Sequence, residues 1–275
     1  MMTTKRVTVE AEALSIGYGK GNSARCVAEG IGFSLYEGEL VLLLGRNGVG
    51  KSTLLRTLSA MQPPLAGRVS ICGRDIARVS LQRLSASVSV VLTDKTFAGG
   101  LRTDEVVSLG RYPFTGFMGR LSETDRRVVR EALSAVGMLH KERDYFSRLS
   151  DGERQKVMVA KALAQESDVI ILDEPTAFLD LPSRLEMLAL MRRLVVERRK
   201  TVLFSTHDIE QSLPYADRLL LFSPSGLCCR TVRDAAESGA LEAIFDGCGL
   251  HYDKAAMRFS LDDGRVRACG NDGAD

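Results

Sequence analysis

Apolar residues along the chain fall into short unbroken runs and into helical stripes. Leu40-Val41-Leu42-Leu43-Leu44 and Val169-Ile170-Ile171-Leu172 contain no polar member. Runs of this length, apolar on both faces, are what strands buried on both sides of a sheet require. Residues 202–205, apolar up to a closing Ser205, and 219–222 read the same way, and 7–16, 30–35, 67–73 and 88–92 read as further strands punctuated by glycines. Leu54, Leu55 and Leu58 mark the inner face of a helix that starts at Lys51. From about residue 103 to 165 the period becomes helical. Ser122-Glu123-Thr124-Asp125 forms a capping box that opens a helix with Val128, Val129, Ala132, Leu133 and Val136 on one face. Beyond it, strands alternate with helices predicted over 182–199 and 209–215. Alternating β and α segments predict a mostly parallel sheet with its ligand at the carboxyl ends of the strands. Residues 226–269 read as short strands and one helix, and 270–275 as a disordered tail.

The 275 residues suffice for one large domain or two modest ones. A formal net charge of +2 gives no electrostatic argument for nucleic acid, so none is expected as a partner. The six cysteines (Cys26, Cys72, Cys228, Cys229, Cys248 and Cys269) form no Cys-x-x-Cys pair, which predicts reduced thiols and a cytosolic setting. The N-terminus lacks the apolar core of a signal peptide, and no apolar run reaches the length of a membrane span. Action at a membrane would therefore be that of a soluble subunit.

The chemistry begins directly after the run at 40–44. Gly45-Arg46-Asn47-Gly48-Val49-Gly50-Lys51-Ser52-Thr53 is Gly-x-x-x-x-Gly-Lys-Ser between a strand and a helix. The glycines let successive backbone N–H groups turn inward onto phosphates. Lys51 adds a point charge for the β- and γ-phosphates, and the Ser52 hydroxyl suits Mg²⁺. A bare Gly-rich turn would not need all of these in this context. Asp173 and Glu174 close the second apolar run. In a phosphate-loop protein such an Asp holds Mg²⁺, and the adjacent Glu is suited to polarise the water that attacks the γ-phosphate.

Four further segments stand in a recognisable order. They are Tyr18 in Gly-Tyr-Gly, Leu149-Ser150-Asp151-Gly152-Glu153-Arg154-Gln155, Phe178-Leu179-Asp180, and Ser205-Thr206-His207-Asp208. With the phosphate loop and the paired carboxylates they make the chain resemble the nucleotide-binding subunit of an ATP-binding cassette (ABC) transporter, over about residues 14 to 222. The resemblance implies an ABC-type P-loop NTPase fold: a mostly parallel core sheet, an antiparallel β subdomain and a helical subdomain at about 98–165. The cassette would span 1–225, with 226–269 an extension packed on it. ATP and Mg²⁺ are the implied cofactors. Tyr18 would stack on adenine, while residues 45–53, with Ser150, Gly152 and Asp180, would surround the nucleotide. His207 would contact the γ-phosphate beside Glu174 and Lys51. Ser52 and Asp173 would hold the metal, joined by Thr93, which stands where the family usually carries Gln.

Two departures from the family pattern bear on chemistry. Thr93 is shorter than Gln, and the signature segment carries Asp151 and Glu153 where Gly and Gln are common, adding negative charge near a site meant for phosphate. Ser150 and Glu153 also spell a capping box, which predicts that Glu153 turns back to its own helix and that Asp151 faces solvent or a basic residue. Arg111-Tyr112-Pro113-Phe114 and the segment after it resemble importers for iron–siderophore complexes, haem and cobalamin. A single phosphate loop and a single signature imply a homodimer that sandwiches ATP. Separate permease subunits at the cytoplasmic side of the membrane and, indirectly, a substrate-binding protein are implied as partners. The alternatives are an exporter ATPase, a non-transport ATPase of the same family and an inactive nucleotide-binding regulator.

Overall fold

The computed structural model describes residues 5–19, 21–92, 100–116, 119–223, 226–245, 250–254 and 258–261. In chain order the strands and helices are β1 (Val7–Tyr18), β2 (Arg25–Tyr36), β3 (Leu40–Leu44), α1 (Lys51–Leu58), β4 (Ala66–Ile71), β5 (Arg74–Asp75), α2 (Leu81–Ser85) and β6 (Val88–Val91). There follow α3 (Thr103–Ser108), α4 (Glu123–Ala135), α5 (Asp151–Ala164), β7 (Val169–Asp173), α6 (Leu181–Arg198), β8 (Thr201–Ser205), α7 (Ile209–Ser212) and β9 (Arg218–Ser223). The chain closes with β10 (Gly226–Thr231), α8 (Val232–Glu237), α9 (Ala240–Ala243), β11 (Leu250–Asp253) and β12 (Arg258–Leu261).

The core sheet has the order β10-β9-β3-β8-β7-β6. It is parallel from β9 through β6, and only β10 runs antiparallel to its neighbour. Every residue of β3, β7 and β8 is buried. The strand period of two splits each strand between two cores. Leu40, Leu42 and Leu44 face the cluster that holds α4, α5 and α6 residues, while Val41 and Leu43 face the one built with α1 and the antiparallel strands. Ile170 and Leu172 against Val169 and Ile171, and Val202 and Phe204 against Leu203, repeat this division. That is why the sequence shows unbroken apolar runs and not an alternation.

A second, antiparallel sheet, β2-β1-β4-β5, covers one of these cores with Val9, Leu14, Ile16, Ile31, Leu35 and Val69. Helices α3, α4 and α5 pack together beside the core sheet. Two capping boxes start the longer pair. Ser122 Oγ accepts from the Asp125 N–H, and Ser150 Oγ from the Glu153 N–H, each reciprocated by the carboxylate. A buried knot joins them. Arg111, 5% exposed, donates to Asp125 at 2.9 Å, to Glu166 at 2.7 Å and to the Ala164 carbonyl at 2.7 Å.

Past β10 the chain folds into two short helices where the sequence predicts one. Ala235, Leu241, Ile244 and Tyr252 belong to the same apolar cluster as the core sheet. The β11–β12 hairpin stacks Tyr252 and Phe259 at 5.0 Å, and the Phe259 N–H donates to the Glu210 carboxylate of α7 at 2.8 Å. The predicted tail at 270–275 lies outside the described residues.

Candidate nucleotide site

The strand order determines what can meet. β3, β8 and β7 are adjacent and parallel, so the loops leaving their carboxyl ends lie side by side. Those loops carry residues 45–50, Ser205 to Asp208, and Asp173 with Glu174.

Residues 45–50 wrap the start of α1. Gly50 stands at its N-cap with φ 115, in the left-handed region, and a Cβ there would lie 2.4 Å from Val27 Cγ1. Both facts exclude a side chain. Lys51, 7% exposed, donates to the carbonyls of Gly45 at 2.7 Å and Arg46 at 3.1 Å. Burial lowers the pKa of its ammonium, while Glu174 and Asp173 pull it the other way. A desolvated cation beside two carboxylates and a turn of backbone donors is matched to a polyphosphate carrying a divalent ion. The donor set therefore fits ATP, with hydroxyl Ser52 and carboxylate Asp173 offering the hard oxygen ligands that Mg²⁺ takes. Ser52, Arg46, Asn47 and Gly48 are exposed along the rim, Val49 and Gly50 are half-buried, and Thr53 is buried.

Tyr18, at the end of β1, puts its hydroxyl 2.6 Å from Thr53 Oγ1. Its ring is 48% exposed. It is thus a surface aromatic held at the phosphate loop and no part of the core. Glu174 and His207 meet directly, Oε1 to Nε2 at 2.7 Å. Glu174 has a left-handed backbone, φ 50, a conformation that costs of order 1–3 kcal/mol and clusters at functional sites. Three bonds hold it there. Its N–H donates to Ser205 Oγ at 3.0 Å, and its carbonyl accepts from the Ala177 N–H at 3.1 Å and from Gln155 Nε2 at 3.3 Å. Asp208, next to His207, is fixed by Arg184 of α6 at 2.8 Å.

Ser150, Gly152 and Asp180 are brought together with one another but not with the phosphate loop. They line a separate concavity of about 480 Å³ with Asp151, Glu153, Lys156, Phe178, Leu179 and Ser183, and no loop residue contributes to it. Gly152 lies so close to the 178–180 segment that a Cβ would be 3.0 Å from the Phe178 carbonyl oxygen. Asp180 caps α6 by accepting from the Ser183 N–H at 3.1 Å, and hydrogen bonds from the Ser183 side chain and then its backbone lower its pKa. The two acidic departures in the signature are accounted for locally. Glu153 pairs with Lys141 and accepts the Ser150 N–H, which in that order hold its pKa down. Asp151 pairs with Arg154 on its own helix at 3.2 Å. Thr93 lies outside the described residues.

Sequence reasoning missed Ser205, Gln155 and Arg184. The signal for Ser205 was available, since it is the one polar residue closing an apolar strand, and a buried hydroxyl needs partners.

Comparison with known proteins identifies the family. The family described as ABC transporter matches residues 28–177. An uncharacterized ABC transporter ATP-binding protein of Methanocaldococcus jannaschii is 40% identical over 78% of this chain and 72% of its own length. The iron(3+)-hydroxamate import ATP-binding protein FhuC of Bacillus subtilis is 35% identical over 78% of both chains. Among solved structures, cbiO1 of Clostridium perfringens, part of the ABC transporter complex cbiONQ, superposes with a TM-score of 0.71 at 26% identity, covering 89% of this chain and 95% of that one. With a phosphate loop, paired carboxylates and His207 converging on the carboxyl ends of three adjacent strands, the chain belongs to the ABC transporter family, as one of its ATP-binding, ATP-hydrolysing subunits.

Proposed function

We propose that the chain drives an importer of ferric siderophores or related metal chelates, binding Mg²⁺-ATP and hydrolysing it between two copies of itself. The observation that carries the dimer is the division of the site. Lys51, Asp173, Glu174 and His207 form one half, and Ser150, Gly152 and Asp180 form another, at a concavity that no residue of the loop lines. A second copy supplies the missing half to each. The substrate class rests on the likeness to FhuC, a protein named for iron(3+)-hydroxamate import. No helix among the described residues is long and apolar enough to cross a membrane, so translocation requires permease subunits at whose inner face the chain docks.

In this reading residues 45–53 cradle the phosphates and Tyr18 supports the adenine. Ser52 and Asp173 would hold Mg²⁺, which would offset the negative charge of the phosphates. Glu174 accepts the proton of the attacking water, and His207, bonded to Glu174, keeps that carboxylate oriented toward the γ-phosphate. Ser150 and the backbone around Gly152 of the second copy close over the same phosphate.

The test is Glu174→Gln. Removing a general base costs about 10²- to 10⁴-fold in rate. The amide retains a partner for His207, so ATP binding should persist and an ATP-bound dimer should accumulate in size-exclusion chromatography. Lys51→Ala should instead weaken nucleotide binding itself. Near wild-type hydrolysis by Glu174→Gln would remove Glu174 from the role. Uptake of radiolabelled ferric hydroxamate by cells dependent on the Glu174→Gln chain should be lost. Uptake that persists would remove this substrate class.

A further inference from the structure

We propose that Ser205 is a positioning residue for hydrolysis, aiming both strand-end carboxylates with one hydroxyl; the role rests on the ATPase reading above. Ser205 closes β8 and is fully buried. In the parallel ladder its register partner is Asp173, the last residue of β7. Its Oγ donates to Asp173 Oδ1 at 2.5 Å and accepts the Glu174 N–H at 3.0 Å. A hydroxyl has one proton and two lone pairs, and here the proton is committed to a carboxylate, the stronger kind of hydrogen bond.

Each bond does something different. The first fixes the rotation of the Asp173 carboxylate, itself only 5% exposed, and so the direction in which it presents oxygen to a metal. The second anchors the N–H of the residue whose backbone sits at φ 50, and so the direction in which the Glu174 side chain leaves the strand. The neighbouring Thr206 hydroxyl is engaged elsewhere, accepting the Asp208 N–H at 3.0 Å. Replacing Ser205 by alanine would take one hydrogen bond from the buried Asp173 carboxylate and one from the Glu174 N–H. A carboxylate held by fewer bonds presents its oxygens to a metal less precisely. Loss of such an outer-shell partner typically lowers metal affinity or activity by 10- to 100-fold.

The experiment compares wild type with Ser205→Ala in two measurements. One is binding of TNP-ATP in EDTA and across a Mg²⁺ titration, and the other is the hydrolysis rate at saturating Mg²⁺. Ser205→Ala should bind TNP-ATP in EDTA as wild type does. The Mg²⁺ midpoint of the binding signal should rise by about 10-fold and the hydrolysis rate fall by about 10- to 100-fold. Ser205→Cys, whose thiol occupies nearly the same space with weaker hydrogen bonds, should move both in the same direction by less, and it carries the test if the alanine chain fails to fold. An unchanged midpoint and rate would overturn the proposal. So would a loss of EDTA binding in proportion to the loss of rate, which is general damage to the fold. A wild-type chain without Mg²⁺-dependent hydrolysis would instead overturn the ATPase reading, and this inference with it.

Discussion

Replacing Asp125 tests whether the knot around Arg111 holds the helical region together. The Asp125 carboxylate is almost fully buried. Its Oδ2 accepts from the Ser122 backbone N–H at 2.9 Å and from the Ser122 hydroxyl at 2.6 Å, while Oδ1 accepts Arg111 Nε at 2.9 Å. Asp125→Ala removes the carboxylate half of a capping box, worth up to about 1 kcal/mol, and breaks a buried ion pair, where losing one partner costs about 3–5 kcal/mol. Arg111 keeps Glu166 at 2.7 Å, so its charge is not left alone, and the lower end of that range applies. A total of about 3–4 kcal/mol is expected, or roughly 6–16 °C in Tm for a domain of this size.

The pH dependence has a definite sign. Hydrogen bonds from the Ser122 side chain and backbone, then Arg111, lower the Asp125 pKa in the folded chain. A depressed carboxylate contributes stability that is complete above its unfolded pKa of about 3.9 and is lost as pH falls through the folded value. The gap between wild type and Asp125→Ala, followed by thermal denaturation from pH 8 downward, should therefore stay constant to about pH 5 and narrow below pH 4. A gap under 1 kcal/mol at pH 7, or one that widens on acidification, would refute the argument.

Substitutions at three other positions probe the nucleotide surfaces. Tyr18→Ala should weaken ATP binding by about 1–3 kcal/mol, the usual worth of stacking a base on an aromatic ring. Tyr18→Phe should be mild because it loses only the bond to Thr53; equal affinities for all three, by fluorescence titration, would show that the ring is not a platform. Asp151→Gly should leave hydrolysis within about twofold, since the side chain is exposed and pairs only within its own helix. Ser150→Arg should abolish the ATP-dependent dimer on size-exclusion chromatography, and a large gain from Asp151→Gly would show its carboxylate facing phosphate.

What the sequence made legible is what local pattern determines. Residues 40–44 and 169–172 read as strands because both faces are buried, and the boxes at Ser122 and Ser150 both form as their spacing requires. The phosphate loop was readable because its glycines and Lys51 are set by the turn alone. Features that depend on distant partners were not readable. β2 begins at Arg25, five residues before the predicted start, because pairing with β1 extends it through exposed Arg25, Cys26 and Glu29, whose pattern carries no apolar signal. Arg111 finds Glu166 across 55 positions. The left-handed turn at Glu174 and its anchor on Ser205, 31 positions away, follow from strand adjacency and from no motif.

One consequence follows from where Gln155 lies. Helix α5 presents Ser150 at its first turn, and Gln155 of the same helix grips the Glu174 carbonyl of its own chain. Five residues of helix separate the two, about 7.5 Å along a rigid rod. In the proposed dimer the tip of α5 feels the γ-phosphate lodged in the other copy, and its second turn touches the base of its own copy. Each helix is then a lever with its ends in two different reactions. A displacement at the tip when the far phosphate departs reaches the near Glu174 without crossing any flexible loop, so the two ATP molecules share a mechanical axis and the two hydrolysis events need not be independent.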